Sequence, residues 1–172
     1  MRMRQQPKSS PSTVTSVTVT PTRQDSTATI TVNGQRADSG QAQSITLNGA
    51  GSNTLINILV TAQNGSQKNY TVNVSRAALG GNNNLSALTV SPGPLNPAYD
   101  ANRASTSYTV NVGSTVDSIT VTPTRQNSNA TITMNGTSAT SGQGRSITLN
   151  GAGSNTVINI VVTAQNGTQK TY

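Results

Sequence analysis

Short runs of alternating apolar and polar residues cover most of this chain. The clearest run is "TLINILVTA" at 54–62, in which Ile56, Ile58 and Val60 fall on one face. Because successive side chains of a strand point to opposite faces, this pattern predicts strands with one apolar and one polar face. The most apolar run, 54–62, is expected to be a central strand. The first half of the chain is predicted to hold strands at 16–22, 28–32, 44–47, 54–62 and 69–74. The predicted inward side chains are Val17, Val19, Ile30, Val32, Ile45, Leu47, Ile56, Ile58, Val60, Tyr70, Val72 and Val74.

Asn-Gly pairs lie between these runs and indicate tight turns. Asparagine and glycine both tolerate the positive φ angles of a type I′ turn. The pairs beginning at Asn64 and Asn166 stand directly between two alternating runs, so they are predicted to be hairpin turns. No segment has a sustained 3.6-residue apolar period, so essentially no helix is expected. The six pairs begin at Asn33, Asn48, Asn64, Asn135, Asn150 and Asn166.

The chain also repeats itself. Residues 12–70 align without a gap on residues 114–172, at an offset of 102, and 14 of those 59 positions differ. Such self-similarity marks a tandem array of one structural unit. The expected organisation is a flexible basic arm at 1–11, an incomplete sandwich at 12–76, a linker at 77–84 and a second sandwich at 85–172.

The second unit opens with a segment, 85–113, that the first unit lacks. Its alternation adds two strands, and prolines 92, 94 and 97 predict an irregular crossing between them. Seven short antiparallel strands in about 100 residues are typical of an immunoglobulin-like β-sandwich. The predicted fold is therefore all-β: tandem sandwiches, unit 1 lacking its first two strands and unit 2 its last. The unit 2 strands are expected at 86–90, 107–112, 117–123, 130–134, 145–149 and 156–164, with a seventh beginning at Lys170.

Several of these segments together resemble the bacterial cadherin-like β-sandwich repeat. The resemblance lies in "LSALTV", "SYTV" and the closing "VTAQNG" hairpin, and it spans 85–172 and the later strands of 12–76. It implies tandem modules of large surface or secreted proteins, used as spacers, stalks or adhesive repeats. It does not imply calcium, because Ca²⁺ needs 6–8 oxygen ligands and the only four carboxylate side chains are dispersed aspartates.

Composition excludes most enzymatic chemistry. The chain has no His, Cys or Glu, so histidine-based triads, zinc sites and paired glutamates are absent. We therefore expect no enzyme activity, no cofactor and no metal site. The net charge of +7 would attract anionic glycans, but the basic residues are scattered apart from the N-terminal arm. Specific nucleic-acid binding is not expected, because the aromatic residues that stack on bases are nearly missing.

Neither a signal peptide nor a membrane-spanning run is visible in the sequence, so no membrane insertion is expected. The chain either works where it is made or begins inside a longer exported protein. Of the four tyrosines, Tyr70, Tyr108 and Tyr172 are in phase with inward residues and are expected in the core. Tyr99 lies in the proline-rich crossing, so it is the candidate for an exposed ligand contact.

The uneven ends of the two units carry the sharpest functional hypothesis. Unit 1 lacks leading strands and unit 2 lacks a closing strand, so each should expose a backbone edge that recruits another strand. Either neighbouring repeats of a longer chain fill these gaps, or copies associate head to tail as a homopolymer. The residues expected to take part in inter-unit pairing are Tyr70, Thr71, Val72, Asn73, Val74, Leu88, Val90, Lys170 and Tyr172.

The sequence thus favours a structural repeat of an extracellular or bacterial cell-surface fibre, stalk or sheath. Two alternatives stay open: an adhesive or glycan-binding surface module, and a virion surface or fibre protein.

Overall fold

The computed structural model describes residues 13–172, so the predicted arm at 1–11 lies outside the described residues. Strands and turns make up this part of the chain, and it contains no helix. It divides into two compact units, and the boundary between them falls between Leu79 and Gly80, inside the predicted linker. The prediction of an all-β fold is confirmed.

Unit 1 consists of two antiparallel sheets. The smaller sheet pairs β1 with β4, and the larger has the order β3-β2-β5-β6. As predicted, the most apolar strand, β5, is central, lying between β2 and β6. The strands are β1 (Ser16–Val19), β2 (Thr29–Val32), β3 (Gln35–Ala37), β4 (Gln43–Thr46), β5 (Asn53–Thr61) and β6 (Gln67–Ser75).

Unit 2 repeats this arrangement and adds strands at its start. Its sheets have the orders β13-β10-β7, β12-β11-β14-β15 and β8-β9. The added strand β7 pairs with β10, so β10 has a ladder partner on each side. The strands are β7 (Leu85–Ser91), β8 (Leu95–Asn96), β9 (Thr109–Val110), β10 (Ser118–Arg125), β11 (Thr131–Met134), β12 (Thr137–Ala139), β13 (Arg145–Thr148), β14 (Ile160–Thr163) and β15 (Gln169–Thr171).

The core of each unit is made by the alternating apolar positions. Every inward side chain predicted for unit 1 is buried or half-buried. In unit 2 the core joins both sheets, with Leu85 and Leu88 from β7 packed in one cluster with Met134 and Val162. The predicted core tyrosines Tyr70, Tyr108 and Tyr172 also pack against these clusters, as partly buried residues.

The Asn-Gly pairs form turns of different width. Asn33 and Gly34 both have positive φ, at 48° and 81°, and so form the type I′ turn between β2 and β3. At Asn64 only the following Gly65 has positive φ, and the Ala62 N–H donates to Ser66 O across a wider loop. The predicted hairpin turns are present: Asn64 lies between β5 and β6, and Asn166 lies between β14 and β15. The sequence prediction missed β3 and β12 because these three-residue strands carry mostly polar side chains.

We expect Gly34→Ala to lower the free energy of unfolding by about 1 kcal/mol, because alanine is strained at positive φ. No other atom lies near the added methyl group, so the cost is one of backbone conformation alone. Gly49→Ala is the matched control, since Gly49 has equally open surroundings and no positive φ. Urea denaturation followed by circular dichroism measures both, and equal losses would contradict the turn assignment.

Candidate functional site

The most distinctive surface feature of unit 2 is an open groove of about 430 Å³, with apolar side chains in its floor and polar residues around it. Its floor is the core itself, with Leu88 from β7, Ile119 from β10 and Ile160 from β14. The segment 149–156 and the residues that follow β9 line the remainder. A groove that reaches the core is unusual for a sandwich, in which the two sheets normally cover each other.

The groove lies where unit 1 has the second half of β6. In unit 1 the residues of 53–57 pair with those of 71–75, for example Ile56 with Val72 and Thr54 with Val74. Asn155 is the equivalent of Asn53, but β14 begins only at Ile160. Residues 155–159 are therefore outside any strand, since a strand is defined by its ladder partner.

Burial shows what the absent ladder uncovers. Ile56, which has β6 beside it in the sheet, is 0% exposed, whereas its equivalent Ile158 is only half-buried. Leu47 and Thr54 in unit 1 are also buried, and their equivalents Leu149 and Thr156 are half-buried. These three side chains have the same identity in both units, so the difference comes from the covering strand.

The groove wall keeps the same shape without that strand. Asn135 in the type I′ turn accepts the Asn159 N–H on its side chain at 2.8 Å, and its own N–H donates to Asn159 O. At the other end, the Asn150 N–H donates to the Thr156 hydroxyl and the Asn150 side chain to Asn155 O. Unit 1 has the same four hydrogen bonds at its equivalent residues. Local hydrogen bonds therefore hold the wall in the conformation that pairs with β6.

The residues predicted for inter-unit pairing lie on strands at sheet edges. Tyr70–Val74 belong to β6, and Leu88 and Val90 belong to β7, each strand having a single ladder partner among the described residues. Tyr172 exchanges two backbone hydrogen bonds with Ile160, and Lys170 lies in β15. Their role between units stays a prediction. Thr156 and Ile158 were missed, although shifting the partners of β6 by 102 positions identifies them.

Tyr99, the predicted ligand contact, is not openly exposed. Its ring is half-buried against the unit 2 core, 6.1 Å from the Tyr108 ring, and its hydroxyl donates to Leu85 O at 2.6 Å. The Leu85 N–H donates to the Tyr172 hydroxyl at 3.1 Å, so two tyrosines hold the start of β7. Burial raises the pKa of Tyr99 to about 12, with smaller contributions from Tyr172, Tyr108 and Asp100. The proline-rich position alone gave no sign of this packing.

No group of three or more His, Cys, Asp or Glu side chains comes together in residues 13–172. In the same range, no helix is long and apolar enough to cross a membrane.

We expect the Tyr99 hydroxyl to make stability pH-dependent. Its pKa is higher in the folded state than in the unfolded chain, so its contribution is complete below pH 10 and is lost between about pH 10 and 12. Tyr99→Phe should remove that part of the alkaline loss, and should itself cost about 1 kcal/mol at pH 8. Urea midpoints of both proteins at pH 8 and pH 11 measure this. Parallel alkaline losses in the two proteins would refute it.

Comparison with known proteins places the fold in a family. The model of the cadherin-like β-sandwich domain matches residues 8–77 and 85–172. Among curated proteins, no sequence matches this chain. A solved structure from the Bacteroides ovatus mixed-linkage glucan utilization locus, SGBP-B in complex with a mixed-linkage heptasaccharide, is similar with a TM-score of 0.28 and 12% identity. That alignment covers 98% of this chain and 63% of the other. With both units matched by the family model, this chain belongs to the cadherin-like β-sandwich domain family.

Proposed function

We propose that this chain is a structural repeat of an extracellular or bacterial cell-surface fibre, stalk or sheath. In this proposal, neighbouring sandwiches complete one another by strand addition, and no catalytic step is involved. The observation that carries the proposal is the groove of unit 2, which has a volume of about 430 Å³ and core side chains in its floor. Exposed backbone edges beside apolar surface are the features that recruit further strands.

Unit 1 supports the same proposal from its other side. Among residues 13–172, β1 has β4 as its single ladder partner, whereas the equivalent β10 has two. Val19 of β1 is half-buried, whereas its equivalent Val121, which has β7 beside it in the sheet, is 3% exposed. Unit 1 therefore lacks, among the described residues, a strand equivalent to β7 of unit 2. Unit 2 lacks a strand equivalent to the second half of β6 of unit 1. Units that differ in this way favour contacts between unlike surfaces, which extend into a line unless the rotation closes a ring.

Two contributions to the free energy of strand addition are favourable. A strand such as β6 brings Val72 and Val74 onto the core, and fully burying a valine contributes about 1.5–3 kcal/mol. The ladder adds backbone hydrogen bonds whose net contribution is about 1 kcal/mol each. A row of such ladders would carry tension along a fibre. The proposed partners are further copies or neighbouring repeats, with anionic glycans attracted by the net charge of +7.

The purified chain is expected to associate as its concentration rises. Sedimentation velocity should show a growing series of oligomers, and negative-stain electron microscopy should show filaments. The reason is that each copy has an uncovered core side in each unit. A single monomeric species at the highest soluble concentration would count decisively against completion by further copies and would leave neighbouring repeats as the partners.

A capped variant tests whether the groove drives this association. The sequence of Thr71–Arg76, appended directly after Tyr172, should fill the groove within the chain and leave the variant monomeric. The matched control appends the same six residues with both valines moved by one position, which turns them away from the core. This control should still associate. If the two variants associate equally, self-association does not depend on the groove.

A further inference from the structure

We infer that unit 2 binds a carboxylate-bearing sugar residue in a second, smaller cleft of about 250 Å³. The cleft is lined by β12, by the connection that follows it, and by Arg145 at the start of β13. Among residues 13–172, β12 and β13 are edge strands of the two larger sheets of unit 2. No residue lines both this cleft and the groove beside β14. The inference rests on the proposed function for its anionic-glycan partner, and it names the site and the class of sugar.

The lining of the cleft supplies hydroxyl groups and one cation. Thr137, Ser138 and Thr140 are exposed and carry hydroxyls, and Arg145 carries the positive charge. Among the described residues that line the cleft, none carries a carboxylate. A guanidinium binds a carboxylate through two parallel hydrogen bonds, and hydroxyls both donate and accept. This set of groups therefore fits a sugar ring that carries a carboxylate.

The Arg145 guanidinium has hydrogen-bond donors left for a ligand. Within residues 13–172 its hydrogen bond runs from Nη1 to Thr137 O and is long, at 3.5 Å. A guanidinium has five N–H groups, so this contact uses a small part of its capacity. Arg145 is also half-buried. Partial removal from water strengthens the attraction between opposite charges, so an anion gains more here than at an open surface.

Unit 1 lacks this combination of groups at the equivalent place. Five of the fourteen positions that differ between the units lie in 35–43, more than in any other nine-residue stretch of the repeat. Thr140 stands where unit 1 has Asp38, and Arg145 stands where it has Gln43. The formal charge of the segment is zero in unit 1, from one arginine and one aspartate, and +1 in unit 2. Unit 2 thus has a hydroxyl where unit 1 has a carboxylate that would repel an anion.

A glycine next to Arg145 brings the connection against β10. A methyl group at Gly144 would lie 2.6 Å from Thr120 Cγ2 and 3.1 Å from Thr122 Oγ1, both on β10. Unit 1 has Ala42 at this position. The backbone that carries Arg145 therefore follows a path in unit 2 that alanine would disturb, so the cleft differs from unit 1 in backbone packing as well as in charge.

NMR titration of the full chain tests the site. The probes are sodium glucuronate and sodium galacturonate, added to the ¹⁵N-labelled chain at constant ionic strength. A uronate should shift the backbone amides of 137–145 and the Arg145 side-chain N–H in a saturable way, with a Kd on the order of 1 mM. Glucose, which lacks the carboxylate, should bind at least about tenfold more weakly. Inorganic sulfate, which lacks the sugar hydroxyls, should also bind at least about tenfold more weakly.

Two variants place unit 1 residues in the unit 2 cleft. Arg145→Gln and Thr140→Asp each introduce the residue that unit 1 has at the equivalent position, so the fold accommodates both. Each should weaken uronate binding at least about tenfold, the first by removing the charged donor and the second by repelling the carboxylate. Arg103→Gln is the matched control, because it removes the same charge from an exposed arginine of unit 2 outside the cleft. Its affinity should stay within about twofold.

Four results would overturn the inference. These are the absence of saturable shifts with either uronate, equal binding of glucose, equal binding of sulfate, and equal losses in Arg145→Gln and Arg103→Gln. Sedimentation velocity separates this outcome from that of the proposed function. Arg145→Gln should associate as the unmodified chain does, because the cleft and the groove share no residue. Filaments without uronate binding refute the sugar site alone, and uronate binding by a chain that stays monomeric supports it.

Discussion

Pairing between backbone edges is the constraint on which the rest of this structure depends. The chain is 31% hydrophobic and has no Phe or Trp, so the core is built mainly from Val, Ile, Leu and Ala, with partly buried tyrosines packed against it. Such a core is a thin layer shared by two packed sheets, and a strand missing from either sheet uncovers part of it. One ladder therefore decides whether a residue is buried. Ile56 and Ile158 have the same identity and equivalent positions in the two units, and they differ in exposure because Ile56 has a strand beside it.

Asparagine side chains explain why the uncovered wall keeps its shape. A segment without a ladder partner would normally lose its extended conformation, because fixing each residue costs about 1–2 kcal/mol of backbone entropy. Here the Asn135 and Asn150 side chains bond to the backbone of residues 159 and 155. Side-chain hydrogen bonds of this local type replace part of what the ladder supplies. The accepting surface is therefore pre-organised, which lowers the entropic cost of adding a strand.

The alternating pattern was sufficient to predict the sheets and the inward face of each strand, because a period of two has one structural meaning at this length. It could not reveal β3 and β12, whose residues are mostly polar and whose pairing depends on the adjoining type I′ turn. It also could not decide which Asn-Gly pair turns most tightly, since that depends on the register of the flanking strands. The Tyr99 hydrogen bond to Leu85 O joins residues 14 apart through an irregular crossing, which no periodicity describes.

The differences between the two units bear on the surface around the groove. Ten of the fourteen differing positions are exposed in unit 1, among them Arg36, Asp38 and Leu55. None falls in 44–54, the segment that binds Arg76 and covers one end of the core. Segments 18–24 and 60–65 are also identical in the two units, so 44–54 is the longest of several shared stretches. In unit 1, Arg76 meets this loop through two backbone groups and its guanidinium, so the loop's conformation as well as its sequence holds the arginine. Because β6 already covers this surface in unit 1, the surface that lacks a strand among the described residues is that of unit 2.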